Sequence, residues 1–203
     1  MSARTRLVLA SGSTARRALL QGAGVAFEVR PADVDEAALR DGLLAADAGV
    51  SHESVALALA EAKALAVSAE VPDALVIGAD QVLSFEGRLF EKPKSIAEAR
   101  AQLLSLRGKT HALHSATVLA EAGEITWRNV ETAVLTLRDF GESALDAYLA
   151  RAGETVLTSV GAYRIEGPAV QLFAEIDGDH ATILGLPLLP LLKELRRRAM
   201  LVA

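Results

Sequence analysis

What most constrains this chain is an alternation in which short, wholly apolar runs lead through polar turns into segments of helical spacing. Leu7-Val8-Leu9-Ala10 reads as a buried strand, Ser11-Gly12-Ser13-Thr14 as a turn, and a helix carrying Leu19 and Leu20 follows. Phe27 and Val29 mark a second strand that runs into Pro31 and the acidic Asp33-Val34-Asp35-Glu36. Residues 54–69 have alanine-rich helical spacing, and Leu75-Val76-Ile77-Gly78-Ala79 is again a buried strand. Residues 81–90 alternate around Glu86-Gly87 as a hairpin does, and residues 95–106 form a helix with Ser95 as N-cap and Glu98 three positions on. Residues 110–137 give two strands turning at Ala122-Gly123, residues 142–151 a helix, and residues 170–183 a hairpin around Asp177-Gly178. A last helix starts near Gly185 with Pro187 in its first turn. Helices and strands interleave, so the expected class is α/β, a mixed twisted sheet flanked by helices, in a single domain spanning residues 1–203.

Composition narrows the function. A chain of 203 residues can bury enough apolar surface to fold unaided. A net charge of -5 and 4% aromatic residues argue against polymeric nucleic acid, which calls for a basic stripe and rings to stack on. The one dense basic run, Arg196-Arg197-Arg198, reads as the solvated last turn of a helix, where cations complement the dipole. With no cysteine there are no disulfides, thiolate metal sites or cysteine nucleophile, and the chemistry falls to oxygen and nitrogen groups. No uncharged apolar stretch approaches about 18 residues, so neither an export signal nor a membrane span is expected, and the cytoplasm is the expected compartment.

Several positions carry chemistry. Asp80 follows a buried strand, and the carboxyl end of such a strand is where open α/β sheets place ligands and metals. The Ser11-Gly12-Ser13 turn can aim N–H groups and hydroxyls at an anion on the positive end of the following helix. Arg16 and Arg17 just inside that helix oppose its dipole, for which a bound anion is one reason; the alternative is a simple serine cap with both arginines in solvent. Lys63 is a lone cation in an alanine-rich helix, where a long stem can also reach solvent, and Glu36 closes an acidic run that also reads as a solvent-facing turn. Lys92 precedes the rigid Pro93. Such carboxylates and cations are the inventory that holds a polyphosphate with a divalent ion and activates water. His111 and His114 sit at odd spacing on a strand, face opposite sides of the sheet and read as structural. No HExxH, GxSxG or GxGxxG pattern occurs.

The opening Leu-Val-Leu-Ala-Ser-Gly-Ser-Thr-Ala-Arg-Arg resembles the signature of the Maf family, named after the septum-formation protein, and Asp33-Val34-Asp35-Glu36 resembles its acidic motif. Ala60-Glu61-Ala62-Lys63-Ala64, Gly78-Ala79-Asp80-Gln81-Val82, Lys92-Pro93, Gly161-Ala162-Tyr163, Glu166-Gly167 and Gly185-Leu186-Pro187 follow in the family's order across nearly the whole chain. The resemblance implies an elongated two-lobed molecule with a central cleft, like that of the ITP pyrophosphatases, often a homodimer. It implies hydrolysis of a nucleoside triphosphate between its α- and β-phosphates with Mg²⁺ or Mn²⁺. By the same resemblance Asp80 is the catalytic carboxylate and shares the metal with Glu36, while Ser11, Arg16, Lys63 and Lys92 bind phosphates. Thr14 stands where the family usually has proline, and Ala15 where arginine or tryptophan is frequent. Gln81 and Glu166 resemble the branch that prefers 7-methyl-GTP, whereas Gly161-Ala162-Tyr163 is closer to the branch acting on dTTP and UTP, so the base stays open. Two alternatives remain at this point: a pyrophosphatase for deaminated purine nucleotides such as ITP, and a regulator of septum formation that binds a nucleotide without turnover.

Overall fold

In the computed structural model, which describes residues 6–201, strand β1 (Arg6–Leu9) lies between two parallel partners, β2 (Glu28–Val29) and the first part of β3 (Ala74–Phe85). Leu9 is level with Val29 on one side and Ile77 on the other. A strand paired at both edges and covered on both faces has no position that favours a polar side chain. Leu7, Val8 and Leu9 are accordingly buried, as is every residue of β3 from Ala74 to Asp80. The strand expected over residues 75–79 does not stop there: β3 runs on to Phe85, so Asp80 lies in mid-strand and not at a carboxyl end.

The strand order is β2-β1-β3-β5-β6-β7, with β5 at Thr110–Glu121, β6 at Glu124–Leu137 and β7 at Phe173–Asp177; β4 (Arg88–Phe90) pairs with β3. The β3–β4 and β6–β7 pairs are antiparallel, so the sheet is mixed. Serines and aspartates start the helices by accepting a backbone N–H that the helix itself leaves unpaired. Ser13 does so for α1 (Thr14–Gly22), Asp35 for α2 (Glu36–Ala46), Ser51 for α3 (His52–Glu70) and Ser95 for α4 (Ile96–Leu106). Helix α5 (Glu142–Ala152) starts at Gly141, and α7 (Leu188–Arg197) starts after Pro187 with Pro190 in its first turn, where a proline costs no hydrogen bond.

The chain forms two compact units. Among the described residues, one takes in those up to Gln81, His114–Glu131 and those from Asp179 on; its core joins Leu9 and Ile77 to Leu20, Leu119, Leu186 and Leu195. The other holds Val82–Leu113 and Thr132–Gly178, with Leu83, Leu103, Leu106 and Phe140 fully buried. Among the described residues no helix is long and apolar enough to cross a membrane.

Two further readings of the sequence are corrected. The hairpin expected over residues 170–183 does not form. Pro168–Leu172 is a 3₁₀ turn, Phe173–Asp177 pairs with β6, and the chain then enters the short helix α6 (His180–Ile183). The reason is local: the Asp179 carboxylate accepts from Thr182 N at 2.9 Å, which caps a helix just where a returning strand would begin. Helix α2 is the second difference, since the spacing of residues 36–46 predicts no element there. It buries no residue and carries Gly42 in its middle, so its pattern is faint.

Candidate active site

The first unit assembles a cluster around Asp80. Helix α3 presents a buried stripe of Val55, Ala56, Leu59, Ala60, Lys63, Ala64, Val67 and Ser68. Lys63 therefore lies on the helix's inner face, 8% exposed, and does not reach into solvent. The helix and β3 meet at Gly78, where a Cβ would come within 2.3 Å of Ala60 O and 2.6 Å of Ala64 Cβ. That close approach brings the Lys63 ammonium to 2.5 Å from Asp80 Oδ1, and Glu36, the first residue of α2, offers Oε1 at 2.8 Å from the same nitrogen. Glu36 is exposed, yet it is a partner of Lys63 and not merely a turn residue.

Arg16 occupies the first turn of α1 but is turned inward. Its Nε donates to Gly185 O at 2.8 Å, and its Nη1 donates to Ala79 O at 2.9 Å and to Ser11 Oγ at 3.1 Å. Three carbonyl or hydroxyl acceptors thus explain an arginine in a first turn, and the solvated alternative holds only for the exposed Arg17. Ser11 is buried, and its hydroxyl also accepts from Ser13 N at 3.3 Å. Ala15, beside Arg16, is partly exposed.

Burial pushes the Asp80 carboxyl above the usual carboxylate range, opposed by the charges of Lys63 and Arg16 and reinforced by Glu36. Burial likewise pulls the Arg16 guanidinium below its ordinary value, against the attraction of Asp80 and Glu36. Two cations and two carboxylates leave the four side chains near neutrality.

Gln81, the next residue on β3, is held from another direction. Its Nε2 donates to Ser115 Oγ at 2.8 Å and to the carbonyls of Thr182 and Ile183, both at 3.1 Å. Three acceptors around one amide nitrogen settle which end is the donor and leave the side-chain oxygen as the group Gln81 can offer.

The second unit holds Lys92 and Glu166. Lys92 is exposed in a loop that α4 pins on both sides: Gln102 Nε2 donates to Glu91 O at 2.9 Å, and the Glu98 carboxylate accepts from Lys94 N at 2.7 Å. Pro93 between them is buried. Glu166 is ion-paired with Arg164, Oε1 lying 2.8 Å from Nε and 2.7 Å from Nη2. Ser11, Arg16, Glu36, Lys63, Asp80 and Gln81, with Ala15 beside Arg16, therefore lie in one unit, and Lys92 and Glu166 in the other.

A family profile described as Maf-like protein matches residues 6–198. The chain belongs to the Maf-like family. Its relatives include a 7-methyl-GTP pyrophosphatase of Rhizobium meliloti (strain 1021), 53% identical over 94% of each chain. A nucleoside triphosphate pyrophosphatase of Caulobacter vibrioides is 54% identical over 95% of each, and one of Gluconobacter oxydans 48% identical over the full length of both.

In this Maf-like protein the structure adds residues that the sequence alone does not single out. Ser115 anchors Gln81 through its buried hydroxyl, a signal that burial alone reveals, and Thr182 and Ile183 anchor it through their backbone carbonyls. In the second unit His111 Nε2 bonds Tyr163 Oη at 2.7 Å, while Tyr148 Oη donates to Ala162 O at 2.9 Å. The Gly161-Ala162-Tyr163 block thus packs that unit's core, with His111 held neutral by burial, its pKa lowered to about 4. Arg197 and Arg198 are not simply solvated: both bind the buried Glu194, at 2.7 Å and 2.6 Å.

Proposed function

We propose that this protein hydrolyses a nucleoside triphosphate to the monophosphate and diphosphate. The observation that carries the reading is the buried Asp80 carboxylate set against Lys63 and Arg16, with Glu36 on the same ammonium. The names borne by relatives of about half identical sequence support it.

A triphosphate is strongly anionic, and a near-neutral cluster with two carboxylates would repel it as much as attract it. That imbalance, and the all-oxygen donors of Asp80 and Glu36, suit a hard divalent ion, because Mg²⁺ commonly takes one or two carboxylates and completes its shell with phosphates and water. When bound, Mg²⁺ or Mn²⁺ would neutralise phosphate charge and make the attacked phosphorus more electrophilic.

The chain's own groups do the rest. Asp80 orients a water and accepts its proton as the oxygen attacks, the bond between the α- and β-phosphates breaks, and diphosphate leaves with the bridging oxygen. Lys63 and Arg16 stabilise charge moving onto the leaving group, and Ser11 donates a hydrogen bond to a phosphate. Gln81 bears on the base, offering its amide oxygen to a ring N–H. The absence of cysteine suits a reducing compartment, and the cytoplasm is the compartment proposed for the reaction.

The test is to incubate the protein with Mg²⁺ or Mn²⁺ and a panel of 7-methyl-GTP, dTTP, UTP, ITP and the other common triphosphates, assaying monophosphate and diphosphate. Production of both by the wild type, and loss of at least about a hundredfold in Asp80→Asn, is the expected result. Binding without turnover across the panel would overturn it.

A further inference from the structure

We infer that Gly185 is a positioning residue for this site, its missing side chain leaving the room in which the Arg16 guanidinium reaches across to Ser11. The inference rests on the reading of Arg16 and Ser11 as substrate-contacting groups.

Helix α6 ends in a paired turn: Leu186 N donates to Ala181 O at 3.0 Å and Gly185 N to Thr182 O at 2.9 Å, with Gly185 in the left-handed region at φ 88. A glycine there has an ordinary explanation, since this helix ending favours glycine for its backbone alone. The same chain supplies the comparison. Helix α1 ends with the same pair of bonds, Val25 N to Leu20 O and Gly24 N to Gln21 O, and α7 ends likewise with Met200 N to Leu195 O and Ala199 N to Arg196 O. At the end of α7 the left-handed position is filled by Ala199 at φ 56, so this turn accepts a side chain. At the end of α1 Gly24, at φ 70, has nothing within 4 Å of where a Cβ would stand.

Gly185 differs from both. A Cβ there would stand 3.2 Å from Nε and 3.2 Å from Nη2 of Arg16, while its carbonyl accepts from that Nε at 2.8 Å. The guanidinium would have to move by a few tenths of an ångström. The same planar group bonds Ala79 O in the middle of β3 and Ser11 Oγ beyond β1, so a shift at Gly185 is passed to both. The Gly185-Leu186-Pro187 block is thereby tied to the site through Arg16, and Leu186, fully buried in the same core as Leu9 and Ile77, fixes the turn in place.

The experiment compares Gly185→Ala with Gly24→Ala, which imposes the same backbone strain away from Arg16, and with Gly185→Asn, which relieves the strain but keeps a Cβ. Two readouts are taken on folded protein. The first is the Arg16 Nε–H resonance in ¹⁵N NMR, assigned by its absence in Arg16→Lys. The second is kcat/KM for 7-methyl-GTP, dTTP, UTP and ITP with Mg²⁺. In the wild type the Nε–H signal should exchange slowly with water. Gly185→Ala and Gly185→Asn should both shift it and lower kcat/KM about tenfold, less than the roughly hundredfold that a full ångström of misplacement costs. Gly24→Ala should keep both within about twofold of the wild type.

Equal effects of Gly24→Ala and Gly185→Ala, or a wild-type Nε–H signal that exchanges like that of free arginine, would overturn the inference. The wild-type signal decides even where neither Gly185 variant folds. Absence of turnover in the wild type with an intact, Gly185-sensitive Nε–H signal would sink the proposed reaction while leaving the positioning of Arg16 by Gly185 standing.

Discussion

Lys63 shares its ammonium between two carboxylates, and its loss would leave Asp80 buried with a charge and only Arg16 to oppose it. Lys63→Ala is expected to cost about 3 kcal/mol in urea denaturation at pH 7, the usual scale for breaking a buried pair by removing one partner. Because Lys63 holds the Asp80 carboxyl down against burial, the acid limb of the pH profile of kcat/KM should move to higher pH in Lys63→Met. An unmoved limb would separate Asp80 from the ionisation that limits turnover. His111 permits a test independent of turnover. Its folded pKa is lowered to about 4 from 6.5 by burial, so between these values the unfolded chain binds the extra proton. Stability should therefore fall as pH drops from about 6.5 to 4 and level off below, by up to about 3 kcal/mol at 1.4 kcal/mol per unit. His111→Gln, compared with wild type over that range, should lose this slope.

Elements place these side chains through a few close contacts. Gly78→Ala would drive a methyl group into Ala60 O and Ala64 Cβ, prising β3 from α3 and carrying Asp80 away from Lys63. The expected cost is about 3 kcal/mol or more, at the upper end for overpacking, read by thermal unfolding. Gly42→Ala, in the open middle of α2 with nothing within 4 Å, should instead stabilise by about 0.5–1 kcal/mol. Helix α7 is held at its end by Glu194, whose pKa is lowered to about 2 mainly by the hydrogen bond from Arg197, with Arg198 adding to it. A depressed carboxyl stabilises fully above its unfolded pKa of about 4.5 and loses that contribution as pH falls toward 2. Glu194→Gln should flatten acid unfolding over this window, by about 2 kcal/mol since Arg197 is itself exposed.

At the scale of the whole molecule, neither unit is continuous in sequence: the chain passes between them at Gln81, Leu113, Glu131 and Gly178. A chain truncated after Gly178 would lack Leu186, Leu191 and Leu195 of the first unit's core and should not show cooperative unfolding by calorimetry. Substrate and metal should also stabilise together. With two carboxylates facing a polyanion, a non-hydrolysable triphosphate plus Mg²⁺ is expected to raise Tm by more than the sum of the two alone, through mass action on the folded state. Purely additive shifts would argue against a shared metal.

Much of this architecture is legible in the sequence because it is local. Uninterrupted apolar runs mark β1 and the first part of β3, Glu86-Gly87 and Ala122-Gly123 mark hairpin turns, and Ser95 marks a helix start, each through chemistry within a few residues. Asp80 stands out as an acid directly after an apolar run, although β3 continues past it to Phe85 and so holds it in mid-strand and not at a strand end. Lys63 is within reach too: Val55-Ala56, Leu59-Ala60, Lys63-Ala64 and Val67-Ser68 recur every four residues, which puts the lysine in the inward stripe. The hairpin over residues 170–183 fails because Asp179 can serve a turn or a helix cap, and only the neighbouring strand β6 settles where β7 ends. By itself, then, the sequence determined most strands, most helices and the identity of the charged groups. Tertiary structure decided that Arg16 turns inward to Gly185, that Gln81 is fastened by α6, and that Glu36 meets Asp80 through Lys63, because each contact joins segments dozens of residues apart whose approach is set by packing at positions such as Gly78.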